Sequence, residues 1–166
     1  MENLYKELRS FFANDMDLND LFDSEAIIWI DWREYDEDVV NYFNDMMAEP
    51  IDIQTVSNGK PYGDDIVLKK GDKELQIPYG DEQDRDVTIK YFNDFVQPDY
   101  EVRWFAESLG NDTLGFTVLS GAEWANLEDE FGADTVRYYF EPINLESKMF
   151  NLDMDEVFAL LALRES

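Results

Sequence analysis

The chain has 166 residues, with 39 Asp and Glu against 13 Lys and Arg and a formal net charge of −26, a length that suits one domain or two very small ones. Hydrophobic residues make up 45% and aromatics 15%, which supplies a packed core and excludes the acidic disordered class, where aromatics are scarce. Cysteine and histidine are both absent, which excludes disulfides, thiolate metal sites, a cysteine nucleophile and any Ser-His-Asp triad.

The spacing of Leu4, Leu8, Phe11 and Phe12 predicts an amphipathic helix over residues 2–13. A short helical turn over 17–22 carries Leu18, Leu21 and Phe22. Residues 26–32 are too β-branched and aromatic for anything but a strand, with Ile28, Ile30 and Trp32 on one face and Ile27 and Trp29 on the other. An acidic stretch follows and runs into a helix burying Val39, Val40, Tyr42, Phe43, Met46 and Met47. Asp36 or Asp38 is expected to cap it, and acids in its first turn suit the helix dipole. Pro50 follows the stop.

Residues 51–56 form the next expected strand and 57–64 a loop rich in turn residues. Strands over 65–70 and 73–78 meet at Gly71-Asp72, a two-residue hairpin turn. A second acidic stretch then enters a helix with Val87, Tyr91, Phe92 and Phe95 inward. Strands over 100–107 and 113–119 form another hairpin around residues 110–112. Residues 122–131 read as a helix with Trp124, Leu127 and Phe131 on one side and Gly132 beyond its end. Thr135–Glu141 reads as the last strand, and Met154–Leu163 as a helix capped by Asp153.

Helices and hairpins interleave without a regular βαβ period. That predicts an α+β fold, a largely antiparallel sheet with helices packed on it. The chain is expected to be a single domain over 1–166, with a helical segment at 1–23, repeat-like units at 26–70 and 73–119, and an α-β-α portion at 121–166. The repeat rests on one frame that occurs twice. Glu34, Asp36, Asp38 and Val39 precede Tyr42-Phe43-Asn44-Asp45, and Glu82, Asp84, Asp86 and Val87 precede Tyr91-Phe92-Asn93-Asp94. The spacer is two residues in the first copy and three in the second. Two duplicated β-α-β-β units sharing one continuous sheet would account for this pattern.

No motif announces a chemistry. Neither a Walker loop nor a dinucleotide-binding glycine pattern occurs. The D-x-D pairs Asp36/Asp38 and Asp84/Asp86 invite a divalent cation, but the EF-hand positions for Gly and Glu hold Asn41 and Met47 in one copy and Ile89 and Phe95 in the other. No catalytic residue, metal ligand or cofactor is therefore assigned. Direct nucleic-acid binding needs clustered Lys and Arg, and the one basic cluster, Lys69, Lys70 and Lys73, adjoins a hairpin turn. A membrane span needs about 18 apolar residues in a row, far more than any run here. The first residues lack the basic and apolar regions of a secretion signal, so a cytoplasmic protein is expected.

The acids fall in every third of the chain, unlike an acidic tail on a neutral body. A field of this sign repels nucleic acid and anionic lipid, and attracts basic proteins. The expected function is an acidic binding inhibitor of a basic protein, an immunity protein that blocks a nuclease-type toxin. The alternative is a phage or plasmid anti-defence protein, anti-CRISPR or anti-restriction, that mimics DNA against a nucleic-acid-binding defence protein. A carboxylate-based metal-dependent enzyme and a salt-adapted domain without a partner stand behind these. Glu34, Asp36, Glu37, Asp38, Glu82 and Asp84 are the expected partner-binding acids, with Trp32 and Tyr35 as aromatic anchors beside them.

Overall fold

The computed structural model describes residues 2–31, 34–60, 63–79, 84–109 and 113–165. Its elements in chain order are α1 (Glu2–Phe12), α2 (Leu18–Phe22), β1 (Ile28–Asp31), α3 (Asp36–Asp45), β2 (Asp52–Lys60), β3 (Gly63–Lys70), β4 (Lys73–Gln76), α4 (Arg85–Val96), β5 (Tyr100–Phe105), β6 (Thr113–Ser120), α5 (Gly121–Phe131), α6 (Ala133–Tyr139), β7 (Phe140–Pro142) and α7 (Met154–Glu165). The fold is α+β with antiparallel pairing throughout.

The strands make two sheets where one continuous sheet was expected. One is four-stranded in the order β1-β6-β5-β7, the other three-stranded in the order β2-β3-β4. The two repeat-like units are divided between them. β1 of the first unit joins the four-stranded sheet while β2 and β3 form the other, and the second unit does the reverse with β4, β5 and β6.

Alternation along the central strands gives the four-stranded sheet an apolar layer on each face. Ile30, Val102, Trp104, Leu114, Phe116 and Val118 enter one core with Phe43, Phe92, Ile66 and Leu68, which brings in α3, α4 and the small sheet. Ile27, Phe105 and Leu119 enter the other, against Leu8, Leu21, Trp124 and Leu127 of the helices α1, α2 and α5. The even–odd split of Ile27 to Ile30 is the one the sequence predicts.

Two local expectations are overturned. The 57–64 stretch is mostly strand. Gly59, at φ 72°, sits in a register shift between Ser57 and Lys60, and pairing resumes at Lys60↔Gly63. Residues 133–139 are helical, and the strand is reduced to Phe140–Pro142. Alternation would align Val136 with Tyr138, yet Val136 is buried and Tyr138 exposed. Packing of Tyr139 on Phe11 and of Phe140 on Trp124 overrides the β preference of the local sequence. Gly132, at φ 96°, permits the sharp break between α5 and α6.

Candidate acidic surface

The two acidic segments converge. α3 and α4 lie side by side, with the rings of Phe43 and Phe92 5.5 Å apart. At their N-terminal ends Arg85 Nη1 donates to the Glu34 carbonyl and approaches Asp36 Oδ1 at 3.5 Å. Counted back from the shared Tyr-Phe-Asn-Asp, the helices start at equivalent positions, so Asp36 and Arg85 are equivalent first residues that pair with each other. The extra spacer residue of the second copy is absorbed here. It shifts the acids by one position, about 100° around the helix.

That shift gives the acids different tasks. Asp84 is the N-cap of α4, and its Oδ1 accepts from the backbone N–H groups of Asp86 and Val87 at 2.9 and 3.3 Å. It also accepts from Asn151 Nδ2. Asp86 is buried and holds the chain before α7. Its carboxylate accepts from the backbone N–H groups of Met149, Phe150 and Asn151 at 2.8–3.0 Å.

Asp36 departs from the expectation in two ways. The N-cap of α3 is Tyr35, with no side-chain capping bond, and Asp36 lies inside the first turn. Its side chain is only 1% exposed, so it presents no charge to a partner. Burial pushes its pKa up, and Arg85 opposes the shift. The hydroxyls of Thr88 and Tyr79, hydrogen-bonded to one another, also favour the charged form without closing a hydrogen bond on Oδ2.

Glu34, Tyr35, Glu37 and Asp38 remain at the surface, and Asp84 is partly exposed but committed to its cap and to Asn151. Glu37 is exposed, and Tyr35 is 76% exposed. Glu34 is partly exposed and accepts from the Tyr42 hydroxyl at 3.2 Å. Glu34, Tyr35 and Asp38 line a shallow depression with Asp31. Trp32 and Glu82 lie outside the described residues. The other described tryptophans are structural: Trp29 stacks on Phe22, Trp104 donates to Ser108 Oγ, and Trp124 donates to the Glu101 carbonyl.

Sequence reasoning missed Asp86 and the Arg103 network. Arg103 is buried, stacked 4.5 Å from the Trp124 ring centre, and paired with Glu101 and Glu128. Arg137 closes the network on Glu128. Partial burial raises the Glu128 pKa, but the two arginines outweigh it and hold the carboxyl below its ordinary range. A lone Arg amid acidic residues carries no sequence signal for such a role.

Among the described residues no three Asp, Glu, Cys or His side chains group as a metal-ion site, and no helix is long and apolar enough to cross a membrane. No protein-family model, curated protein or solved structure matches the chain.

Proposed function

We propose that this chain is a binding inhibitor that neutralises a basic protein, acting as an immunity protein against a nuclease-type toxin. The observation that carries the reading is the division of labour among the acids. Asp84 caps α4, Asp86 holds residues 149–151, and Asp36 is buried against Arg85, and this leaves Glu34, Glu37 and Asp38 at the surface with the exposed ring of Tyr35. An aromatic anchor within a carboxylate cluster suits a cationic surface, where ring and charges act together. The net charge of −26 extends the attraction beyond this patch and raises the association rate.

The test is a titration. The basic protein captured by this chain from source-cell lysate is assayed on DNA and RNA with rising amounts of the chain. The reading predicts that nuclease activity is lost completely at stoichiometric amounts. A captured protein that cuts neither substrate, or that stays active in the complex, counts against it. A captured host defence protein would move the reading to an anti-defence role.

A further inference from the structure

We propose that the free edge of β2 takes up an extended basic segment of the partner as an added strand. The inference rests on the inhibitor reading and adds how the partner is held. β2 is an outer strand of the small sheet, with β3 on one side only. An antiparallel strand turns the N–H and C=O of one residue to the same side, and the side alternates from residue to residue. The Ile66 carbonyl accepts from the Ile77 N–H at 2.9 Å, so Ile66 faces the β4 side of the sheet. Thr55 lies opposite Ile66 and therefore directs its own N–H and C=O away from β3, as do Ile53 and Ser57, two residues to either side. No other described residue bonds these groups of Thr55 and Ser57. Native edges are blunted by charge, proline or cover. Residues 53–57 carry neither charge nor proline, in a chain that is 31% charged. Gln54, Thr55, Val56 and Ser57 are all exposed, so no described element covers either face there, and the register shift comes only after Ser57.

The bare ladder and the acids beside it decide the occupant. Alternating free donors and acceptors match another extended backbone. The Asn44 side chain bonds both the N–H and the C=O of Ile51, which ties the end of α3 to the start of β2. That tie brings together Asp45 and Asp52, the residues that follow in each case, and both are exposed. Lys69, opposite Asp52, pairs with Glu74 instead, and no described side chain bonds either carboxylate. Exposed Glu37, Asn41 and Asp45 succeed one another at four-residue spacing along α3. The outer face of that helix, about 15 Å long, thus joins the Tyr35 patch to the edge. A segment bearing lysine or arginine meets these acids with opposite charge, whereas a second copy would set −26 against −26.

The experiment uses the full chain and three extended peptides of one length with the same threonine and valine positions. One carries lysines, the second is the same peptide N-methylated at two successive central residues, which blocks both of its edges, and the third has glutamates in place of the lysines. NMR titration follows affinity and the exchange of the β2 amides. The lysine peptide should bind at least about tenfold more tightly than either of the others, the effect of losing backbone hydrogen bonds or of reversing charge. With it bound, the Thr55 and Ser57 amides should gain protection, while those of Gln54 and Val56, already turned to β3, stay as they were. Thr55→Pro removes an N–H that bonds nothing within the sheet, so it should fold and should lower the lysine peptide's affinity to that of the methylated one. Equal binding of the lysine and methylated peptides, or no gain of protection at Thr55 and Ser57, overturns the added strand and leaves the inhibitor reading standing. Absence of binding by every peptide also overturns the strand alone. A glutamate peptide that binds as tightly as the lysine peptide overturns both. A dimer by light scattering that Thr55→Pro converts to monomer overturns the proposal too, because a second copy then occupies the edge.

Discussion

Replacing Asp86 with asparagine keeps its shape and removes its charge, and the structure sets the cost. Oδ1 accepts from Phe150 N–H, and Oδ2 accepts from both Met149 N–H and Asn151 N–H. An asparagine has one acceptor oxygen in place of two. The better orientation puts that oxygen at the Oδ2 position and turns its NH₂ group toward the Phe150 N–H. Two hydrogen bonds survive without charge assistance, each weakened by roughly half, and one donor is left facing another. A buried unmet donor costs about 1–3 kcal/mol and each weakened bond on the order of 0.5–1 kcal/mol, so the total is about 3 kcal/mol. In urea unfolding the midpoint should fall with an unchanged slope. In heating, the melting temperature should drop by about 6–12 °C. Asp86→Ala strands all three donors and should cost more. Hydrogen exchange supplies a local check, because the amides of residues 149–151 should lose protection before the sheet does. A cost below about 1 kcal/mol for Asp86→Asn, or unchanged exchange at these amides, would refute the claim that this carboxylate fixes the approach to α7.

Other outcomes follow from the same geometry. Asp36 has a raised pKa in the fold, so its ionised form is disfavoured there, and stability falls as pH rises from the ordinary carboxylate range through the folded value. Asp36→Asn should therefore raise the melting temperature at neutral pH, with the gain vanishing as the pH falls through about 4; a loss at neutral pH would mean that the Arg85 pairing outweighs burial. The lowered pKa of Glu128 has the opposite sign, and its stability contribution is present at neutral pH and lost as pH falls through the folded value. Glu128→Gln should cost about 1–3 kcal/mol at neutral pH, because the buried Arg103 keeps Glu101 but loses a charged partner, and urea unfolding at neutral and acid pH reads both. Gly121→Ala in the first turn of α5 would ordinarily help a helix, yet its new Cβ would collide with the Pro98 carbonyl oxygen. A destabilisation of about 1–3 kcal/mol in urea is expected there, and a gain would contradict the close approach.

Where the local pattern was strong, the sequence sufficed. Leu8 and Phe12 on α1, the strand alternation at Ile27–Ile30 and the turn at Gly71-Asp72 all sit as their spacing implies. Asp153 caps α7, accepting from the Glu156 N–H at 2.8 Å. The failures lie where distant packing decides. Val136 and Tyr139 have β-rich neighbours, but residues from α1 and α5 set their conformation. The acidic surface was legible in kind and only partly in detail. A count of carboxylates gives the sign of the field, but a D-x-D pair does not say which acid points outward. Asp86 takes its hydrogen bonds from residues more than sixty positions away, and Asp36 takes its ion pair from Arg85 across a one-residue shift in the spacer. Neither relation has a local trace.

The most direct test of the inhibitor account compares two baits side by side, the native chain and the Glu34→Lys, Glu37→Lys, Asp38→Lys variant, in pull-downs from source-cell lysate washed at rising salt. All three side chains reach the surface, so the variant should fold, with a loss of about 1–2 kcal/mol because two of its lysines sit in the first turn of α3 against the helix dipole. The account predicts that the native chain retains a basic protein into moderate salt, and that the variant releases it at lower salt. Retention of the same proteins by both baits at every salt, or of no basic protein by the native chain, would contradict it.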